Sequence, residues 1–197
     1  MTRRNYHHGD LRRALLDAAA AFLATHDVTA LNLQVVAKAA GVSPGAPYHH
    51  FEDKVSLLAA LATEGFLELF AMIERDTKRA GDPHAKLEAL VSAYLRFSER
   101  MPAHYRIMFL PDVGDRVRFA ELHAASGLSL NLSVAVLAAC LPDVSGKQVA
   151  SRAVVMWSTC HGFASLRAAG VLTNIPGIPP LAELRRTAIR QISKAIL

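Results

Sequence analysis

The stretch Leu33-Gln34-Val35-Val36-Ala37-Lys38-Ala39-Ala40-Gly41-Val42-Ser43-Pro44-Gly45-Ala46-Pro47-Tyr48-His49-His50-Phe51 decides how the chain is read. Its first half carries apolar residues at helical spacing: Leu33, Val36, Ala37 and Ala40. Asn32 precedes them as a cap, a side chain whose oxygen takes an N–H of the first turn. Gly41 supplies the left-handed stop. Ser43-Pro44 then restarts a helix, since Ser suits the cap and Pro the first helical position. That second helix ends around Phe51. Two short helices joined by a tight Gly turn match the helix-turn-helix plan, whose second helix enters the major groove of duplex DNA. Ala37 is small enough to let the two helices cross closely.

Helix geometry, about 100° per residue, assigns the faces of the second helix. Pro47 and Phe51 share one face, with Pro44 close to it, and pack on the core. Gly45, Ala46 and His49 point the other way, toward the groove, flanked by Tyr48 and His50 in reach of the phosphates. Gly45 and Ala46 at the tip allow close backbone approach, and the Ala46 methyl suits a thymine methyl. His49 and Gln34 are the candidate hydrogen-bonding base readers. Lys54 is placed to meet a phosphate, and Arg3 and Arg4 to reach a neighbouring groove as an arm.

Outward from this stretch the periodicity stays helical. Leu11, Leu15, Ala18, Ala19, Phe22 and Leu23 mark a first helix, with Asp10 as its expected cap and an end near His26-Asp27. A long helix is expected over 53–79, broken by Gly81-Asp82-Pro83. Further helices are expected over 83–101, 103–110, 122–141, 145–171 and 181–197, with a Pro-rich loop at 173–180. There is no repeat and no convincing strand alternation. The expectation is an all-α chain: an N-terminal three-helix DNA-binding domain over 1–54, then a C-terminal helical domain for ligand binding and dimerisation over 55–197.

Composition narrows the function. The chain has 197 residues, 52% of them apolar, enough for a real core, and a formal charge of +5, which permits a polyanionic partner. Basic tracts open and close it: Arg3, Arg4, Arg12 and Arg13, then Arg185, Arg186, Arg190 and Lys194. Cys140 and Cys160 make neither a disulfide framework nor a zinc spacing. The polar start reads as no signal peptide, and no stretch of 18 apolar residues free of charge is found. The expectations are no membrane span, no metal, no cofactor, and the cytoplasm as compartment.

Residues 6–64 resemble the DNA-binding domain of the TetR family of bacterial regulators. The resemblance lies in the run from Tyr6 to Ala19, in the run from Leu33 to Phe51, and in Lys54. It implies that Tyr48 and Lys54 meet phosphates and that Ser43, Gly45, Ala46 and His49 lie at the DNA; Pro44, in the same run, is counted among the expected DNA-binding residues. Three positions depart from the family's habit: Ala46 often carries a hydroxyl there, Pro47 a larger apolar side chain, and Gln34 a basic one. These departures bear on base preference and not on DNA binding itself, and Pro47 is expected to cost an internal hydrogen bond of its helix.

The C-terminal body is less specific. Trp157-Ser-Thr-Cys-His161-Gly162 resembles the Trp-His-Gly signature of one C-terminal domain type in that family. Trp157 and His161, four apart, share a helix face. Gly162 costs about 1 kcal/mol inside a helix and calls for a close approach by another helix or a ligand. The resemblance implies a four-helix dimer interface built from the last two long helices, about 145–171 and 181–197. A dimer also suits a palindromic operator, which needs two recognition helices about 34 Å apart. Candidate pocket residues are Phe66, Phe70, Tyr94, Phe97, Met101, Tyr105, Met108, Phe109, Met156, Trp157 and His161, whose Phe and Met content points to an apolar or aromatic small-molecule effector.

Three functions compete. The first is a ligand-responsive regulator, expected to be a repressor released by its effector, with an activator as the alternative on the same fold. The second is an enzyme using Cys160-His161 or an Asp/His pair; adjacent helical residues diverge by about 100°, and no oriented triad, Gly-rich phosphate loop or paired metal motif supports it. The third is a helical small-molecule or protein-binding module without DNA work.

Overall fold

Helix boundaries follow the side chains that satisfy orphan backbone groups. The computed structural model describes residues 8–173 and 175–197. Among these, regular structure is wholly helical: α1 (His8–Leu23), α2 (Leu33–Ala39), α3 (Lys54–Arg79), α4 (Pro83–Arg100), α5 (Pro102–Ile107), α6 (Ala120–Cys140), α7 (Gly146–Ala168) and α8 (Leu181–Ala195), with short 3-10 segments between some of them. Asn32 Oδ1 accepts the Val35 N–H at 2.9 Å and caps α2. Asp82 Oδ1 accepts the Ala85 N–H at 2.9 Å and caps α4, with Pro83 behind it at the first position. Ser145 caps α7. The first helix, expected to open at a cap on Asp10, is already running at His8. The sequence pattern also gave no hint of the 3-10 turn Val28–Ala30, which Asp27 caps by accepting the Thr29 N–H at 2.9 Å.

The chain packs as two units, residues 8–65 with 103–123 and residues 66–102 with 124–197. In the first, Leu15, Leu16, Ala19 and Leu23 of α1 are buried, as are Leu33, Val36 and Ala37 of α2 and Leu57, Leu58 and Leu61 of α3. Ala37 is buried in α2, which packs against both α1 and the 3-10 turn Ala46–His49. The segment 103–123 is tied into this unit. The Arg106 guanidinium donates to the Leu23 carbonyl at the last turn of α1, where the helix dipole favours a cation. His104 Nε2 lies 3.8 Å from Glu64 Oε2, and Glu64 Oε1 accepts from Arg13 Nη1 at 3.0 Å. Gly65 lets the two segments meet, since a Cβ there would lie 2.7 Å from Met108 Sδ.

In the second unit α4 packs on α7 and α8. Its buried face is Leu87, Leu90, Val91, Tyr94, Leu95 and Phe97. At its C-terminal end Glu99 is shared by two helices: Arg185 Nη1 donates to Glu99 Oε2 at 2.5 Å and Arg167 Nε lies 3.8 Å from Oε1. Asp76 of α3 pairs with Arg96 of α4. Helices α3 and α6 are long and apolar enough to cross a membrane by length and composition, and half of that window of α3 is buried.

Candidate nucleic-acid interface

The turn after α2 is built as expected, and the element beyond it is tighter than expected. Gly41 has φ +70°, the left-handed stop, and the Val42 N–H closes on the Ala37 carbonyl at 3.0 Å. Ser43-Pro44 does not start an α-helix. A turn comes first, with the Ala46 N–H on the Ser43 carbonyl at 3.0 Å, and then a 3-10 helix over Ala46–His49. The physical reason is Pro47: it sits in the first turn of this short helix, so its missing N–H breaks no internal bond. Its carbonyl is well used, accepting from His50 and Phe51, both at 2.9 Å.

Tightening the helix changes side-chain spacing to about 120° per residue, so Ala46 and His49 share one edge. The predicted faces hold in part: Pro44, expected beside the packed face, is exposed, and His50, expected toward the phosphates, is half-buried. Pro47 and Phe51 are buried, with Arg12 of α1 5.6 Å from the centre of the Phe51 ring. Ser43, Pro44, Gly45 and His49 are exposed, Tyr48 is 55% exposed, and Gln34 is exposed on the first turn of α2. Ala46 is half-buried. His50 turns inward, half-buried with its ring 6.5 Å from that of Phe51. Lys54 is half-buried, and its Nζ donates to the Val28 carbonyl at 2.6 Å. Arg3 and Arg4 lie outside the described residues. Arg13 is held by Asp17 and Glu64, so part of the opening basic tract is paired with carboxylates of the same unit.

Arg118 was not among the expected site residues. It reaches the residues that follow the 3-10 turn, Nη2 donating to Asp53 Oδ2 at 2.7 Å and to Glu52 Oε2 at 3.1 Å. Nothing in the sequence signals a contact across 65 residues.

The expected pocket residues divide between the units. Tyr105, Met108 and Phe109 belong with the DNA-reading unit, where Tyr105 and Phe109 meet edge to face at 5.5 Å. The other eight belong to the second unit. There Phe97 and Met156 are core side chains, essentially inaccessible. Three residues do come together: Tyr94 Oη lies 3.3 Å from His161 Nδ1, and the Trp157 and His161 rings lie 6.3 Å apart. Burial holds His161 below its ordinary value, which favours the neutral imidazole. Cys160 is buried, and burial pushes its thiol up to about 12, which is the opposite of an activated nucleophile. The expected close approach at Gly162 is not made among the described residues: a Cβ there would meet none of their atoms within 4 Å. An open depression on the same unit is lined by Ser151, Arg152, Val155, Ala195, Ile196 and Leu197.

A small all-helical unit presenting an exposed tip after a glycine turn defines a helix-turn-helix regulator. Comparison with known proteins agrees: residues 15–61 match the family described as bacterial regulatory proteins, tetR family, and residues 87–191 match the tetracyclin repressor-like C-terminal domain. The chain belongs to the TetR family of transcriptional regulators, and is a DNA-binding regulator rather than an enzyme. It is similar to a protein of unknown function from Rhodococcus sp. RHA1, whose structure is 32% identical with a TM-score of 0.78 over 98% of both chains. It is 38% identical over 82 residues to the HTH-type transcriptional repressor KstR2 of Rhodococcus jostii (strain RHA1), a match spanning 41% of this chain and 40% of that relative. It is 27% identical to the HTH-type transcriptional regulator BetI of Rhizobium meliloti (strain 1021) over 81% of this chain and 80% of that one.

Proposed function

We propose that this regulator is a repressor that binds a palindromic operator as a homodimer and is released by a small-molecule effector. The observation that carries the reading is the exposure of Ser43, Pro44, Gly45, Tyr48 and His49 on a turn anchored by buried Pro47 and Phe51. Residues 1–54 read the DNA and residues 55–197 sense the ligand and dimerise. His49 and Gln34 read base edges. Gly45 and Ala46 allow close approach, and Tyr48 and Lys54 meet phosphates. Arg3 and Arg4 act as an arm. His50, half-buried, supports the turn from within.

The dimer forms through α7 and α8. Val154, Val155, Trp157 and Leu166 are exposed on α7, and the open Gly162 leaves room for a second helix to come close. The effector is an apolar or aromatic molecule with a polar group for Tyr94 and His161. Its binding favours a conformation of lower operator affinity. The similarity to a named repressor supports repression over activation, and the cytoplasm is where such an operator is met.

Selection of bound duplexes from a random pool tests the reading. A consensus of two inverted half-sites, bound by two protomers, is expected; recovery of unrelated sequences sinks it. Unchanged operator affinity across a panel of apolar and aromatic compounds that raise the melting temperature sinks the effector part.

A further inference from the structure

The acidic pair Glu52-Asp53 sits in an awkward place for a protein that grips a polyanion. It follows directly on Phe51, three and four residues beyond His49, and the Glu52 side chain is 82% exposed. Uncompensated, two carboxylates there repel phosphates lying within a Debye length, about 8 Å at physiological salt. The structure supplies compensation from a distant part of the chain, within the same packing unit. One Arg118 nitrogen bridges both carboxylates, at 2.7 Å to Asp53 and 3.1 Å to Glu52.

The bridge is built on both sides. On one, Asp115 Oδ1 accepts the N–H groups of Val117 at 2.9 Å and Arg118 at 3.0 Å, fixing the loop that presents the guanidinium. The Phe119 ring lies 5.0 Å from the guanidinium carbon and limits where it can swing. On the other side, Asp53 is itself held. Its Oδ1 accepts the Ser56 N–H at 2.8 Å, and Ser56 Oγ accepts the Asp53 N–H at 3.1 Å, a reciprocal cap at the start of α3. Burial opposes ionisation of Asp53, yet the hydrogen bonds and charge of Arg118 and Ser56 hold its carboxyl below the usual range. The same carboxylate thus opens α3 and receives Arg118.

We propose that Arg118 is a positioning residue for DNA reading: it neutralises Glu52-Asp53 and pins the exit of the recognition turn, without itself contacting the operator. This rests on the DNA reading above. The distinction from a direct phosphate contact is chemical. A phosphate-binding arginine is not replaced by removing a carboxylate, whereas a shielding arginine becomes dispensable once the charge it shields is gone.

The test measures binding to the palindromic duplex recovered by selection, at two salt concentrations, beside thermal melting of each variant. Arg118→Ala is expected to weaken binding about three- to fivefold at low salt and less at high salt. Arg118→Ala combined with Glu52→Gln is expected to recover the share of that loss that comes from Glu52, with Asp53 still unshielded. Glu52→Gln alone, which leaves Arg118 untouched, is expected to strengthen binding and serves if Arg118→Ala does not fold. The proposal is overturned if Arg118→Ala binds like the wild type, if Glu52→Gln gives no recovery, or if Glu52→Gln alone weakens binding. A wild-type protein that binds no duplex overturns the DNA reading itself; a binding wild type with an indifferent Arg118→Ala overturns this inference alone.

Discussion

The ammonium of Lys54 donates to the carbonyl oxygen of Val28 at 2.6 Å, joining the first residue of α3 to the 3-10 turn between α1 and α2. A lysine that served only a phosphate would be free of such a tie. Lys54→Ala is therefore expected to do two things. It lowers stability by about 1–2 kcal/mol, the worth of a charge-assisted hydrogen bond, and it weakens binding to all duplexes alike. Chemical denaturation and duplex titration read the two separately. A variant with normal stability and lost binding would leave Val28 without a role.

Tyr48 gives the contrasting case. More than half exposed, it contributes little to packing, so Tyr48→Ala should change stability by under about 0.5 kcal/mol. Its effect belongs on DNA, and equally on operator and unrelated duplex. His49→Ala and Gln34→Ala should instead change the preference between them, by about 1–3 kcal/mol at one base position. Identical behaviour of the two groups would refute the division of the turn into phosphate-facing and base-facing residues.

Gly162 turns the dimer proposal into a question of sign. In the isolated protomer no described residue blocks a Cβ, so Gly162→Ala would stabilise α7 by about 1 kcal/mol through helix propensity. Against a closely packed second copy the added methyl clashes. The expected result is weaker self-association in sedimentation with an undiminished helical signal. Val155→Glu, at a side chain 56% exposed, should dissociate the dimer outright. A tighter dimer in either variant places the interface elsewhere.

The pair Asp76–Arg96 predicts an acid-side loss of stability. Burial opposes ionisation of Asp76, but the hydrogen bonds and charges of Arg96 and Arg75 hold its carboxyl below the ordinary value. The folded protein therefore keeps this proton off to lower pH than the unfolded chain does. The contribution is present above the unfolded value of about 4 and disappears as pH falls through the depressed one. Asp76→Asn should cost about 1–2 kcal/mol at neutral pH, the gap to wild type closing in acid. A gap that persists at low pH would mean the loss is packing and not charge.

Cys160 offers a chemical check on the second unit. With its thiol pushed up to about 12 by burial, it should resist alkylation in the folded protein. Cys140, half-buried with Sγ on the Pro83 carbonyl at 3.2 Å, should be labelled first. Peptide mapping after brief treatment distinguishes them, and prior labelling of Cys160 would contradict its placement.

The parts of the fold that local chemistry dictates were legible in the residues. Asn32 and Gly41 bound α2 because a cap and a left-handed stop are properties of single side chains. Pro47 and Phe51 face inward whether the helix is wound as α or as 3-10. The winding itself was not legible, because Ser43-Pro44 suits a helix start and an open turn equally well. Asp10 misled for a related reason: a capping residue also fits inside a first turn. The packing of 103–123 beside residues 8–65, and with it Arg118 on Glu52-Asp53, depends on long-range contact that no local pattern encodes. Gly162 suggests a close neighbour in the sequence, and no described residue of this chain supplies one.

The turn between Gly41 and Phe51 draws its stiffness from an unusual source. Its short 3-10 helix has no side-chain cap; beside the backbone hydrogen bonds, two pyrrolidine rings, at 44 and 47, fix φ on either side of Gly45 and Ala46. That restriction is covalent and persists in the denatured chain, so little conformational freedom is left to lose when the tip meets a partner. Calorimetry of operator binding should then show a small entropic penalty for ordering, and grafting residues 41–51 onto another helix-turn-helix scaffold should carry the same economy with it.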